Sequence, residues 1–334
     1  MKRAFAASAL LMLLAPRWGA AQPLPAAADP NEPLSVLTYN VHGLPWPIVE
    51  ERSDELAAIG AKLAELRKHG AQPSVVLLQE AFTDSAAQIG REAGYRYSAN
   101  GPMPDEHDPV AMQPSDRVLA AAANPLKGET EGKWESSGLR IFSDFPIVAI
   151  SRMAYPSFAC AGFDCLANKG VLLVTLSVPG RGLVQVATTH LNSRAASGVP
   201  DARSIVAYRR QVDVLDHFIR RHADPALPLI VAGDFNVGDA PGRRPALLER
   251  AESWKTLEGG VGGEGLRACV ADGQVDHLRD ASEIIRRSRD FQFFYSGKRA
   301  TLTAESANIP FGRGPNGSML SDHIGFSITY KIAG

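Results

Sequence analysis

Cysteine is scarce in this chain, three among 334 residues. No Cys–His spacing resembles a zinc site, so a structural zinc core is not expected. Cys160, Cys165 and Cys269 are also too few for a disulfide scaffold. "CAGFDC" nevertheless closes a small loop, so a Cys160–Cys165 bridge is expected, with Cys269 left over. A basic excess is missing too: 35 Lys and Arg stand against 36 Asp and Glu. A protein that grips a nucleic-acid backbone usually carries such an excess, which makes nucleic acid the less expected partner. Long apolar runs are confined to the N-terminus. There Lys2 and Arg3 lead into "AFAASALLMLLA", and "GAA" places small residues ahead of Gln22. That is the layout of a signal peptide over residues 1–21, too short to span a bilayer comfortably, and it implies export to the periplasm or beyond the cell. Removing Lys2, Arg3 and Arg17 leaves 32 basic against 36 acidic residues, a net charge of −4.

What remains is rich enough in apolar residues, 45% overall, to bury a large core. Residues 22–33 read as a flexible leader and 34–334 as one domain. "LSVLTYNV" (34–41) alternates β-formers and predicts a strand, and "SVVLLQE" (74–80) is apolar on both faces, as in the middle of a sandwich. Between them, Leu56, Ile59, Leu63 and Leu66 form a helical stripe over 50–69. Residues 100–137 read as a long surface loop. Two strands around a Pro turn are expected over 138–155, a hairpin over 170–193, and an amphipathic helix over 201–222 with Ile205, Val212, Leu215 and Ile219 inward. "PLIVAGDFNV" is a further core strand, with a tight turn expected at Gly233. "GGVGGEG" (259–265) reads as a loop. "DFQFFYSG" (290–297) reads as a strand whose Phe291, Phe293, Phe294 and Tyr295 pack into the core, and "SDHIGFSITYKI" (321–332) closes the chain with a strand. No internal repeat stands out. Many strands with interspersed helices argue for an α/β sandwich.

The strands share a habit of ending in polar groups: Asn40, Glu80, His190, then Asp234 and Asn236, with Asp322 and His323 before the last strand. Residues two apart on a strand share a face, so Asp234 and Asn236 are expected to meet one ligand. Glu80 is a hard oxygen donor and Asn40 offers a carbonyl oxygen. With water and a substrate phosphate they would make a magnesium site, since Mg²⁺ keeps few protein ligands; Mn²⁺ or another divalent cation would suit the same donors. The two histidines and Asp234 could orient water, act as general base and stabilise charge on phosphorus. No Ser or Cys sits in a nucleophile-elbow context, so direct attack by water is the economical chemistry.

"TYNVHG", "LLQE", "THLNS", "GDFN" and "SDH", in this order over residues 35–326, resemble the endonuclease/exonuclease/phosphatase superfamily, the metal-dependent relatives of DNase I. The resemblance implies a four-layer α/β (α+β) sandwich: two packed mixed β-sheets flanked by helices. It also implies Mg²⁺-dependent hydrolysis of a phosphate ester. Glu80 would be the principal metal ligand with Asn40 beside it, and His190 and Asn236 would hold phosphate oxygens. Asp234 would orient the attacking water or the base. His323 would be the general base, and Asp322 would support it or the metal; sequence leaves open which of Asp234 and His323 takes the proton. The superfamily also places an Asp–aromatic pair behind the last His. Asp276 and Asp290 are both candidates, the second with a register that looks one residue off.

"SSGLRIFSDFPI" followed by "CAGFDCLANKGVLLVTL" is similar to the secreted neutral sphingomyelinase branch, in which an Asp five residues before the Lys of an "NKG" stretch forms a switch beside the phosphate. Asp164 and Lys169 keep that spacing, and a lysine suits a phosphate oxygen. The expected function is therefore phospholipase C-type cleavage of a phospholipid or other phosphodiester head group by activated water. Transient membrane-surface contact would accompany it, with no obligate protein partner. A secreted nuclease, a phosphoinositide phosphatase and an inactive binding module are the alternatives. No large membrane-inserting hairpin is evident near the final strand.

Overall fold

The computed structural model describes residues 33–45, 48–107, 110–257 and 260–334. The expected signal peptide and all of the leader but Pro33 lie outside the described residues. In chain order the strands are β1 (Leu34–Gly43), β2 (Val75–Ala81), β3 (Tyr97–Asn100), β4 (Arg140–Ser143), β5 (Ile147–Ala154), β6 (Gly170–Val178), β7 (Gly182–His190), β8 (Leu229–Asp234), β9 (Gly262–Glu264), β10 (Asp290–Tyr295), β11 (Thr301–Phe311) and β12 (Gly325–Ala333). The helices are α1 (Ser53–Lys68), α2 (Asp84–Glu92), α3 (Pro114–Ala121), α4 (Asp201–His222), α5 (Arg243–Leu257), α6 (Gly265–Ala271) and α7 (Leu278–Arg287).

The strands form two six-stranded mixed sheets, ordered β11-β12-β1-β2-β4-β3 and β5-β6-β7-β8-β10-β9. The central strands are buried on both faces, which is why their sequences read as continuous apolar runs. Val36, Leu77, Ile141 and Phe326 of the first sheet meet Leu172, Val174, Val186 and Ile230 of the second. The outer face of the first sheet is covered by Leu56, Ile59 and Leu63 of α1 and Ile89 of α2. Val212, Leu215 and Ile219 of α4 and Trp254 of α5 cover the second. The result is the four-layer sandwich that the motifs implied. Each fully buried leucine or isoleucine in these layers stabilises it by about 1.5–3 kcal/mol.

Several expectations change in detail. The two strands around Pro146 do not pair: β4 ends in one sheet and β5 begins in the other, so the turn is the crossing between layers. The loop over 100–137 carries α3, and "GGVGGEG" includes β9 and the start of α6. No tight turn occurs at Gly233. It lies within β8 at φ 143°, where any side chain would strike the Thr189 backbone, so glycine serves close strand approach rather than reversal. The aromatic strand packs as expected: Phe291, Phe293 and Tyr295 face the α4–α5 layer and Phe294 the inter-sheet core. Cys160 and Cys165 are disulfide-bonded, and Cys269 is unpaired and buried. No helix of the described residues is long and apolar enough to cross a membrane.

Candidate active site

Strand register assembles the site. Parallel pairing of β7 and β8 sets His190 beside Asp234, and antiparallel pairing of β8 and β10 sets Asp234 beside Asp290. Three neighbouring strands thus end in a row of polar side chains. The first sheet contributes Asn40, which lies opposite Gln79, and Glu80 one residue further on. The segment before β12 brings Asp322 and His323. With Asp164, Lys169 and Asn236, these site residues meet at one cavity of about 800 Å³, which all of them but Asn40 and Asp290 line. Asn40 stands behind it, bonded to Glu80 and Asp234.

Local backbone geometry aims these side chains. His42, Glu80 and Asn236 hold φ of 52°, 54° and 49°, in the left-handed region that non-glycine residues rarely occupy. Asp234 and Asn236 therefore do not meet by strand alternation, because β8 stops at Asp234. Instead the Asn236 N–H donates to Asp234 Oδ1 at 2.9 Å, a side-chain turn that swings Asn236 over β7, where its Nδ2 donates to Leu191 O at 2.9 Å.

His323 Nδ1 lies 2.7 Å from Asp290 Oδ2, and its Nε2 lies 3.7 Å from Asp234 Oδ2. Burial works against an imidazolium here, but Asp290, Asp234 and Asp322 outweigh it and raise the His323 pKa to about 10. Asp290 is thus the carboxylate behind the last histidine, and Asp276 instead accepts from the Ile309 N–H at 3.0 Å. Asp322 sits at the rim with a half-exposed side chain, 3.7 Å from Arg289 and 4.0 Å from His323. His190 is the opposite case: burial, aided by the Lys169 charge, pushes its pKa down to about 3 and keeps it neutral.

Glu80, His190 and Asp234 converge with one oxygen or nitrogen each within 4.8 Å of one another, as do Asp234, Asp290 and His323. Burial lifts the Glu80 pKa to about 7, and its Oε2 is buried with no hydrogen-bond partner. A buried carboxylate oxygen left unpaired beside a second carboxylate is the signature of a cation site. Asn40 meets this cluster differently from the expectation. Its Nδ2 donates to Glu80 Oε1 and Asp234 Oδ2, both at 3.0 Å, while its Oδ1 accepts from the His42 N–H at 3.0 Å. In this arrangement Asn40 bridges the two carboxylates with its amide N–H groups instead of offering a carbonyl oxygen. The residues fit a divalent cation at Glu80, with Asp234 and His190 as the neighbouring donors.

Lys169 is nearly fully buried: its ammonium pairs with Asp164 Oδ1 at 2.8 Å, donates to Leu191 O at 3.2 Å and lies 3.2 Å from His190 Nε2. Asp164 is held in turn by the Ser193 N–H, and the Cys160–Cys165 bridge closes the turn that carries it. Behind it Lys133, its pKa pushed down to about 8 by burial, donates to Cys165 O at 2.9 Å.

One residue escaped sequence reasoning entirely. Arg243 is wholly buried, and its guanidinium donates to Asn192 O, Asn236 O, Ser193 O and Ser204 Oγ at 2.7–3.2 Å, above the Tyr208 ring. It ties the segment after His190 to the segment after Asp234. At the start of a polar helix, "GRRPALLER" carries no signal for such a role.

The sequence matches the Endonuclease/Exonuclease/phosphatase family over residues 37–323. No curated protein matches it. Among solved structures it is similar to a beta toxin from Staphylococcus aureus, a double mutant with bound magnesium ions (TM-score 0.60, 14% identity, 90% of this chain and 100% of that one). It is also similar to sphingomyelinase C from Streptomyces griseocarneus (TM-score 0.56, 21% identity, 89% and 99%). A third similar structure is the human Nocturnin catalytic domain with bound sulfate (TM-score 0.55, 19% identity, 90% and 94%). At these identities the solved structures speak for the fold, and the family match speaks for membership. This chain belongs to the endonuclease/exonuclease/phosphatase family, whose members are hydrolases of phosphoester bonds and use divalent metals.

Proposed function

We propose that the protein is an exported, Mg²⁺-dependent phosphodiesterase that removes the head group of a phospholipid by sphingomyelinase-like, phospholipase C-type cleavage. The observation that carries this reading is the buried Asp164–Lys169 pair, whose ammonium touches His190 on the wall of the cavity. A fixed positive charge there suits a single phosphodiester oxygen. The lip of the same cavity is apolar: Ile48 and Phe163 line it with 58% and 47% of their surface exposed, which suits an acyl-chain environment. Magnesium in the beta toxin and the name of the Streptomyces sphingomyelinase support cofactor and substrate class. The disulfide supports export.

When bound, a divalent cation at Glu80 neutralises charge on the phosphate oxygens. The chain's own residues do the rest. Lys169, His190 and Asn236 orient the phosphate. Asp234 Oδ2 takes the proton of the attacking water, and the His323 imidazolium, its Nε2 3.7 Å away and its ring fixed by Asp290, stabilises the developing charge. A panel assay tests the reading: sphingomyelin, phosphatidylcholine, a phosphoinositide and plasmid DNA, each with and without Mg²⁺. Mg²⁺-dependent release of phosphocholine is expected. Turnover of DNA or phosphoinositide alone would replace this reading with a nuclease or a phosphatase.

A further inference from the structure

We propose that Glu135 receives the cationic end of the substrate head group, so that the cavity selects phosphodiesters bearing a quaternary or protonated amine. This rests on the phospholipid reading and names what it recognises.

The cavity wall is acidic: among the described residues seven carboxylates line it against the permanent positive charges of Lys169, Arg194 and Arg289. Most of those carboxylates are already engaged. Asp164 pairs with Lys169, Asp201 and Asp239 pair with Arg194, and Asp322 lies near Arg289 and His42. Glu80 and Asp234 belong to the cation cluster. Glu135 is the exception. It is half-buried, and among the described residues its carboxylate has neither a hydrogen bond nor an ion pair. Burial alone raises its pKa, with no compensating partner.

Its position matches a head group anchored at Lys169. The Glu135 backbone bridges to Ala167, and the Asn168 N–H donates to Glu135 O at 2.9 Å, so Glu135 lies one strand across from the residues leading to Lys169. Phe82, two residues beyond Glu80, lines the same cavity, and its ring packs on Gly138. Phe163 at the lip already carries the Lys127 ammonium 5.3 Å from its ring centre, so among the described residues Phe82 is the aromatic wall left for a ligand cation. A carboxylate and an aromatic face together are the usual recognition chemistry for quaternary ammonium. A neutral or anionic head group would leave the half-buried Glu135 unpaired, which disfavours it.

The test compares p-nitrophenylphosphocholine with bis(p-nitrophenyl) phosphate at saturating Mg²⁺, for the wild type and Glu135→Gln. The wild type should prefer the choline ester, and Glu135→Gln should cut the ratio of the two kcat/KM values by about tenfold, the equivalent of one modest ionic contact. Phosphocholine should also inhibit the wild type more tightly than inorganic phosphate does, and this difference should shrink in the variant. A wild type that prefers the choline ester together with a variant that keeps the full preference would overturn the role of Glu135 alone. A wild type with no preference for choline would overturn the phospholipid reading, and this inference with it.

Discussion

Asp290 Oδ2 accepts from His323 Nδ1 at 2.7 Å, across the junction of the two sheets. That bond fixes which imidazole nitrogen faces Asp234. Asp290→Asn should therefore reduce kcat by about 10²–10⁴, the span of acid–base groups, with little change in KM. A fall in KM-limited binding with kcat intact would contradict the role.

The same pair makes stability depend on pH. The folded-state pKa of His323 lies near 10, above its ordinary 6.5. Its contribution is therefore fully present below about pH 6.5 and is lost as pH rises through about 10. Denaturant melts of the wild type and Asp290→Asn should differ most at pH 6 and converge toward pH 10. A constant difference would contradict the shift.

Glu80 sets a second pH dependence. In the cation-free protein its pKa is raised to about 7, so protons and the cation compete for it. Mg²⁺ affinity, measured by calorimetry, should fall about tenfold for each pH unit below 7 and level off above it. Glu80→Gln should weaken binding by more than about tenfold and flatten that profile. Affinity that does not change between pH 5.5 and 7 would rule out Glu80 as the principal ligand.

Lys169 and Asp164 should behave as one unit. Lys169→Ala should lower turnover of a phosphodiester by about 10²–10³, as for removal of one preorganised donor. Asp164→Asn should lower it less, and the double variant should be no worse than Lys169→Ala. Strict additivity of the two losses would show that the pair does not act together.

Arg243 acts at one remove. Arg243→Met orphans the carbonyls of Asn192, Ser193 and Asn236 and should cost about 3 kcal/mol or more in stability, since bonds to a charged donor are worth about 1.5–3 kcal/mol each. Arg243→Lys should recover part of the loss and shift kcat more than KM. A melting curve equal to that of the wild type would contradict the clamp.

The layers and most of the site were legible because buried central strands write themselves as apolar runs with polar ends. Glu80, His190, Asp234 and His323 stand at such ends. The spacing of Asp164 and Lys169 was legible through resemblance, and the pairing followed. Three things were not legible. Left-handed backbone at Glu80 and Asn236 breaks the two-residue alternation, so the route by which Asn236 reaches Asp234 could not be read. Asp290 looked out of register because its place depends on pairing with β8 rather than on distance from Asp322. Edge strand β11, interrupted by Pro310, and the polar helix α5 carry weak periodicity, and Arg243 is hidden at the start of that helix.

The central claim is that Glu80, Asp234, His190 and His323 serve one cation and one phosphorus centre. The most direct measurement is phosphocholine release from sphingomyelin by chelator-treated protein to which Mg²⁺ is added back, for the wild type and for Asp234→Asn. No release is expected without the cation, with full recovery in the wild type and recovery at least about 10²-fold lower in Asp234→Asn. Release that persists after chelation, or an Asp234→Asn variant that recovers like the wild type, would contradict it.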